Sequence, residues 1–211
     1  MSDIVRFRNC SWVAALFVLL LHGGVAFADI MNFDSLSDLE SVTTQYQPTL
    51  GVVFQNAIVL KSGAVGGSLN ELDFPPHSDF NVIFDNGGPI IIDFAPAVVS
   101  ISGFFTYNTA LLMQAFGASH NLLGSAGSGC ASNFVSAGSG CTPNEAIGIA
   151  GLGDIAEVIV TGDAAGFSFA LDDLTFDRSV EAPVPEPASF VLLISCVTLV
   201  ETARRLKRSR T

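Results

Sequence analysis

The sequence predicts an all-β domain built as a two-sheet β-sandwich, and three observations carry that expectation. Short runs of β-branched and aromatic residues recur along the middle of the chain, with turn residues between them and hardly any helical periodicity. Where alternation is legible it has the period of a strand. Val99, Ile101, Gly103 and Phe105 share one face, and Ser100 and Ser102 share the other, as in a half-buried sheet. The stretch between the two chain ends is about 155 residues, enough for one domain with a real core. Many short strands with no helices to cover them bury their apolar faces against a second sheet.

Taken in order, strands are expected at Val42–Gln47, Val52–Leu60, Phe80–Phe84, Ile90–Phe94 and Val98–Phe105. Further strands are expected at Ala110–Gly117, Asn121–Gly124, Ala146–Ile149, Ala156–Val160 and Gly166–Phe176. Asp85-Asn86-Gly87-Gly88-Pro89 is a strong turn signal between the third and fourth, and Gly162-Asp163 is another before the last strand. Ser125 to Cys141, rich in Gly, Ser and Ala, is expected to be an exposed loop. No internal repeat is visible.

The two ends read as targeting segments. Arg6 and Arg8 precede the apolar stretch Trp12 to Leu21, and Ala26-Phe27-Ala28 is a small-x-small cleavage site. Residues 1–28 are therefore expected to be a signal peptide, with the mature chain starting at Asp29 and the β-sandwich occupying 29–180. Cys10 lies before the apolar stretch and the cleavage site itself has no cysteine, which argues against a lipoprotein. At the other end, 181–187 is a Pro-rich spacer, expected to be extended. The apolar run Ala188 to Val200 follows, about 20 Å of helix at ~1.5 Å per residue. A bilayer core is about 30 Å thick. The segment spans only if Thr202 and Ala203 join it, giving 188–203, and the arginines that follow reach the headgroups. Arg204, Arg205, Lys207, Arg208 and Arg210 put the tail, 204–211, in the cytoplasm. The body then lies on the opposite side.

Without its ends the chain is strongly acidic. From Asp29 to Pro183 there are 17 Asp and Glu against Lys61 and Arg178, a net of −15. This argues against nucleic acid as a partner, because phosphates need basic surface. It fits a soluble extracellular domain, with bound calcium or with the charge serving solubility alone. Cys130 and Cys141 are the cysteines of the body and are expected to form a disulfide in an oxidising compartment. No histidine stands near them in sequence to make a metal site.

Val184-Pro185-Glu186-Pro187, the apolar run and the basic end together resemble the PEP-CTERM sorting signal of Gram-negative bacteria, which is read by a membrane transpeptidase-like enzyme called exosortase. The resemblance makes Pro185, Glu186 and Pro187 the sorting motif. It implies as partners signal peptidase, an exosortase-like enzyme and exopolysaccharide, with a transient inner-membrane stage before the cell surface or exterior. The body opens with Phe33-Asp34-Ser35-Leu36 and continues with Thr44-Gln45-Tyr46 and Leu50-Gly51-Val52-Val53-Phe54. It closes with Phe169-Ala170-Leu171-Asp172-Asp173-Leu174-Thr175-Phe176. This resembles the jelly-roll domains common in PEP-CTERM proteins, which look like carbohydrate-binding modules. The resemblance implies a jelly-roll-like sandwich whose first and last strands are neighbours, with a structural calcium where they meet. Asp34, Asp172 and Asp173 would be its ligands.

The residues bear on that site independently. Two consecutive carboxylates on a regular strand point to opposite faces, so one of Asp172 and Asp173 faces the core side, where an unpaired charge is costly. A metal or the capping of nearby backbone resolves the cost. Catalysis has little support: Pro75-Pro76-His77-Ser78-Asp79 reads as a loop, and no Gly-x-Ser-x-Gly, His-Glu-x-x-His or phosphate loop occurs. Trp12 leaves with the signal peptide, so Tyr46 and Tyr107 are the aromatic residues of the body, besides phenylalanines, that could face a sugar. The expected role is a non-enzymatic envelope or matrix protein. A carbohydrate-binding module is the alternative and a secreted hydrolase the third reading.

Overall fold

A computed structural model describes residues 28–178. The expected signal peptide up to Phe27, the spacer with Pro185, Glu186 and Pro187, the membrane segment and the basic tail lie outside the described residues. Ten strands follow in chain order: β1 (Ala28–Met31), β2 (Ser41–Val42), β3 (Val52–Gln55), β4 (Ala57–Lys61) and β5 (Asn81–Asp85), then β6 (Ile90–Tyr107), β7 (Leu112–Phe116), β8 (Leu122–Gly127), β9 (Glu145–Thr161) and β10 (Phe169–Arg178). A single helical turn, α1 (Gln47–Leu50), precedes β3.

All strand pairings are antiparallel. The path β2-β4-β5-β10-β6-β9-β7-β8 folds over itself because β6 and β9 are long enough to belong to both halves. The first half of β6 pairs with β3 and with the end of β9, with Ile92 opposite Phe54 and Val158. Its second half pairs with β10 and with the start of β9, with Phe105 opposite Leu171 and Glu145. The ladder is irregular between Asp93 and Ser100, where Pro96 has no N–H to donate. The two halves face each other as the layers of a sandwich. Phe54, Ile92, Met113 and Val158 from the smaller layer meet Val59, Ile83, Phe105, Leu171 and Phe176 from the larger. The predicted all-β class therefore holds. The two sequence segments Ile90–Phe94 and Val98–Phe105 are one strand bent across the layers, and Ala146–Ile149 and Ala156–Val160 are another.

Two further differences have local causes. Val42–Gln47 is not a strand beyond Val42. The Gln45 side chain folds back to accept from Thr43 N and donate to Ser41 O, and Pro48 suits the first turn of a helix. Gly51 closes that turn at φ 61°, pressed so closely on the Ala95 carbonyl that no side chain fits. Val52–Leu60 breaks at Asn56, whose φ of 57° an Asn tolerates better than most residues. Its amide donates to Pro89 O, and β3 and β4 go to different layers.

The first and last strands are neighbours: Ala28 faces Asp177 and Met31 faces Leu174. Arg178 fixes the join, donating to Asp29 Oδ2 at 2.7 Å and to Leu50 O at 3.0 Å while lying over the Phe176 ring. Cys130 and Cys141 form a disulfide that closes the loop between β8 and β9.

Candidate functional site

The outer face of the larger layer carries a second, smaller apolar cluster: Leu69, Val82, Phe84 and Ala170, with Ile58, Leu60 and Phe74 packed on it. The chain itself covers this face. Residues 62–80, between β4 and β5, cross it as a strap. The strap starts with a short 3-10 turn at Gly63–Val65 and lays Leu69 onto the sheet. Phe74 then meets Phe84 edge-on and stacks flat on Phe134, which belongs to the disulfide loop. Asp73 ties the same two segments, accepting from Ser136 N and from the Ser136 hydroxyl. Asn144 Nδ2 donates to the carbonyls of Pro75 and Pro76.

The strap ends at a carboxylate clamp. Asp172 is buried, and its Oδ2 accepts from His77 N and Ser78 N, each at 2.8 Å. Its Oδ1 accepts from Asp173 N at 2.7 Å. Asp173 Oδ2 lies 2.6 Å from His77 Nδ1, and Asp173 Oδ1 accepts from the Ser78 hydroxyl at 2.9 Å. The His77 ring lies flat on Phe104, with centroids 3.4 Å apart. The two carboxylates do not point to opposite faces as strict alternation requires. The pairing of β10 with β6 shifts register between Asp172 and Thr175, and Asp173 sits at φ 46°, so the bulge turns both side chains toward one loop.

Burial pushes the Asp172 carboxyl up from its ordinary 3.8 to about 6. The charge of Asp173 pushes the same way, and the N–H donors of His77, Ser78 and Asp173 oppose both. Asp85 is a second buried carboxylate, also raised by burial. It accepts from Ser168 N, the Ser168 hydroxyl and Phe169 N, and so fixes the turn into β10. Sequence reasoning missed it. Its position as the first residue of a turn, where Asp side chains bind backbone, was the available signal.

Asp34 binds the chain where the same strap runs into β5, with Oδ1 accepting from Phe80 N and Asn81 N. Asp34 Oδ2 is buried with no partner. Of the trio's carboxylate oxygens it alone is free, because those of Asp172 and Asp173 and the other of Asp34 accept the hydrogen bonds above. Calcium takes about six to eight oxygen ligands. As arranged, Asp34 and Asp172 hold backbone of the strap and its junction with β5, and Asp173 holds the side chains of His77 and Ser78. Among the described residues no group of three or more His, Cys, Asp and Glu clusters as a metal site.

His77 is half-exposed and bound to Asp173, and the Ser78 hydroxyl binds the same carboxylate. His120 is exposed, 3.5 Å from Glu157. Tyr107 is fully buried, its hydroxyl donating to Glu145 Oε2, and Tyr46 packs edge-on against Phe33 and Phe54. Neither tyrosine is an open platform. Among the described residues the exposed phenylalanines are Phe80, at 49%, and Phe167, at 59%. Phe167 stands in the turn between β9 and β10 at φ 57°, with its N–H donated to Asp85 O.

No family model and no curated protein matches this chain. Solved structures are similar to it, among them the following. The K2 cleaved adhesin domain of Lys-gingipain is 12% identical with a TM-score of 0.43, over 71% of this chain and 99% of that one. A family 6 carbohydrate-binding module is 10% identical with a TM-score of 0.34, over 72% of this chain and 94% of that one. CsCBM6-3 from Clostridium stercorarium, in complex with cellobiose, is 14% identical with a TM-score of 0.33, over 72% and 94%. Likenesses this loose assign no ligand.

Proposed function

We propose that this chain is an exported, non-enzymatic component of the cell envelope or extracellular matrix, with a jelly-roll-like body. In this reading it is sorted through signal peptidase and an exosortase-like enzyme and associates with exopolysaccharide. The observation that carries the reading is the Cys130–Cys141 disulfide, since such bonds persist in oxidising compartments. The use of the buried polar side chains adds support. Asp85, Asp172, Asn81 and Asn133 each bind backbone that holds loops onto the sandwich. The test is replacement of Pro185, Glu186 and Pro187 by alanine in the native host. Cells should then hold the chain at the inner membrane and lose it from the surface or medium. Unchanged surface delivery would overturn the sorting route.

The alternative, glycan binding, is favoured by Phe167. An exposed aromatic ring, held by a left-handed backbone and a hydrogen bond to Asp85, offers a sugar ring a fixed apolar face. A glycan array on the exported protein tests it, with Phe167→Ala as control. Binding lost in the variant supports the alternative, and binding retained there removes Phe167 from it.

A further inference from the structure

We infer that the free edge of β9 is a self-association surface, through which two copies of this chain join their larger sheets into one. The start of β9 pairs with β6 on one side, from Glu145 opposite Phe105 to Ala150 opposite Ser100. β7 meets β9 only from Glu157 to Thr161. Among the described residues, no backbone hydrogen bond reaches the other edge of Ala146–Ala150. Ala146, Gly148 and Ala150 are exposed there, while Ile147 and Ile149 are buried in the core.

An unpaired edge is a template for another strand, and natural sheets blunt it with Lys, Pro, inward charge or a very short strand. β2, at one end of the sheet path, is two residues long. From Ala146 to Ala150 the edge of β9 carries no charged residue and no proline, and the irregularity of its ladder begins only after Ala150.

The sequence of this edge selects the partner. Ala146-Ile147-Gly148-Ile149-Ala150 reads the same in both directions. An antiparallel partner strand runs the other way, so a second copy centred on Gly148 presents the same residues in the same order. Ala146 then faces Ala150 of the second copy, Ile147 faces Ile149, and Gly148 faces itself. A two-fold axis through Gly148 makes both halves of the contact identical, as an isologous dimer requires. Paired residues of antiparallel strands share a face. The isoleucines of the two copies therefore continue one apolar inner face, and Ala, Gly and Ala continue one smooth outer face. The same register resolves the acidity. Glu145 falls opposite Gly151 of the second copy, so within Glu145–Gly151 no two carboxylates confront each other directly across the seam.

The register is tested by cysteine pairing in the full chain, with Cys10 and Cys196 replaced by serine. Ala146→Cys and Ala150→Cys chains are prepared separately, then mixed and treated with a mild oxidant. Opposed residues in antiparallel strands have Cα atoms about 4.5–5.5 Å apart, within the roughly 4.4–6.8 Å that a disulfide spans. Two copies of residue 146 stand about 14 Å apart, four residues out of step at ~3.4 Å each. The mixture should give a disulfide-linked dimer joining residue 146 to residue 150, and each variant alone should not. Ala146→Lys, which puts a charge on the edge, should shift the parent chain to monomer in sedimentation velocity. Equal cross-linking by either variant alone would overturn the register. A monomeric parent with no cross-link from the mixture would overturn the interface.

Discussion

Asp172→Asn gives the sharpest reading of the clamp, because it removes one ionisable group and keeps the side chain's shape. Burial holds the Asp172 carboxyl near 6 in the folded chain against an ordinary 3.8. At 1.36 kcal/mol for each tenfold, that interval is worth about 3 kcal/mol. The sign follows from which state binds the proton. Between 3.8 and about 6 the folded protein holds a proton that the unfolded chain has lost, so stability falls as pH rises through that window. The contribution is fully present below 3.8 and gone above about 6. The asparagine side chain does not titrate, so the variant loses this slope and keeps those of all other groups. Urea unfolding of parent and variant from about pH 3.5 to about pH 7.5, a range that brackets the window, measures the difference directly. The stability of the parent relative to the variant should drop by about 3 kcal/mol across the window. A flat difference refutes the raised carboxyl. A parent that gains stability with rising pH would mean that the three N–H donors of the clamp outweigh its burial.

Two further predictions test the loop and the trio. Reducing Cys130–Cys141, or replacing both by serine, should cost about 2–3 kcal/mol by the chain-entropy model for so short a loop, and non-reducing peptide mapping should link those two cysteines. A melting temperature unchanged by reduction counts against the bond as a constraint. Calcium should raise the melting temperature no more than magnesium or monovalent salt at matched ionic strength, because the clamp oxygens are already bonded. A calcium-specific rise abolished by Asp34→Ala would instead place a metal at the free Asp34 oxygen.

The strands were legible because β-branched residues and turn residues mark themselves locally. Asp85-Asn86-Gly87-Gly88-Pro89 is a turn in the sequence and in the structure. What sequence reasoning could not see was continuity. β6 runs through Ala95 and Pro96 because it is held by one partner before the break and by another after it, and that is a property of the sheet. The clamp was half legible. Two acids at the end of an apolar strand flagged Asp172 and Asp173. Their actual partners, His77 and Ser78, lie more than ninety residues away in sequence. The bulge that turns both carboxylates to one side leaves no local signal, since Asp173 adopts φ 46° without a glycine. The strap was invisible for a related reason. Leu69 and Phe74 have neither strand nor helix period, and only the apolar outer face of the sheet explains their burial. The edge of β9 was read as an ordinary short strand, and its reversibility gains meaning only once one side is seen to be unpaired.

The central claim is export with processing at both ends, and intact-mass measurement of the native protein after cell fractionation tests it most directly. The account predicts a surface or extracellular product that starts at Asp29, lacks Trp12, has lost Arg204 to Arg210 at or near Pro185-Glu186-Pro187, and is lighter by two hydrogens for one disulfide. A mature product that retains Trp12 or the basic tail, or that is found in the cytoplasm with free thiols at Cys130 and Cys141, would contradict it.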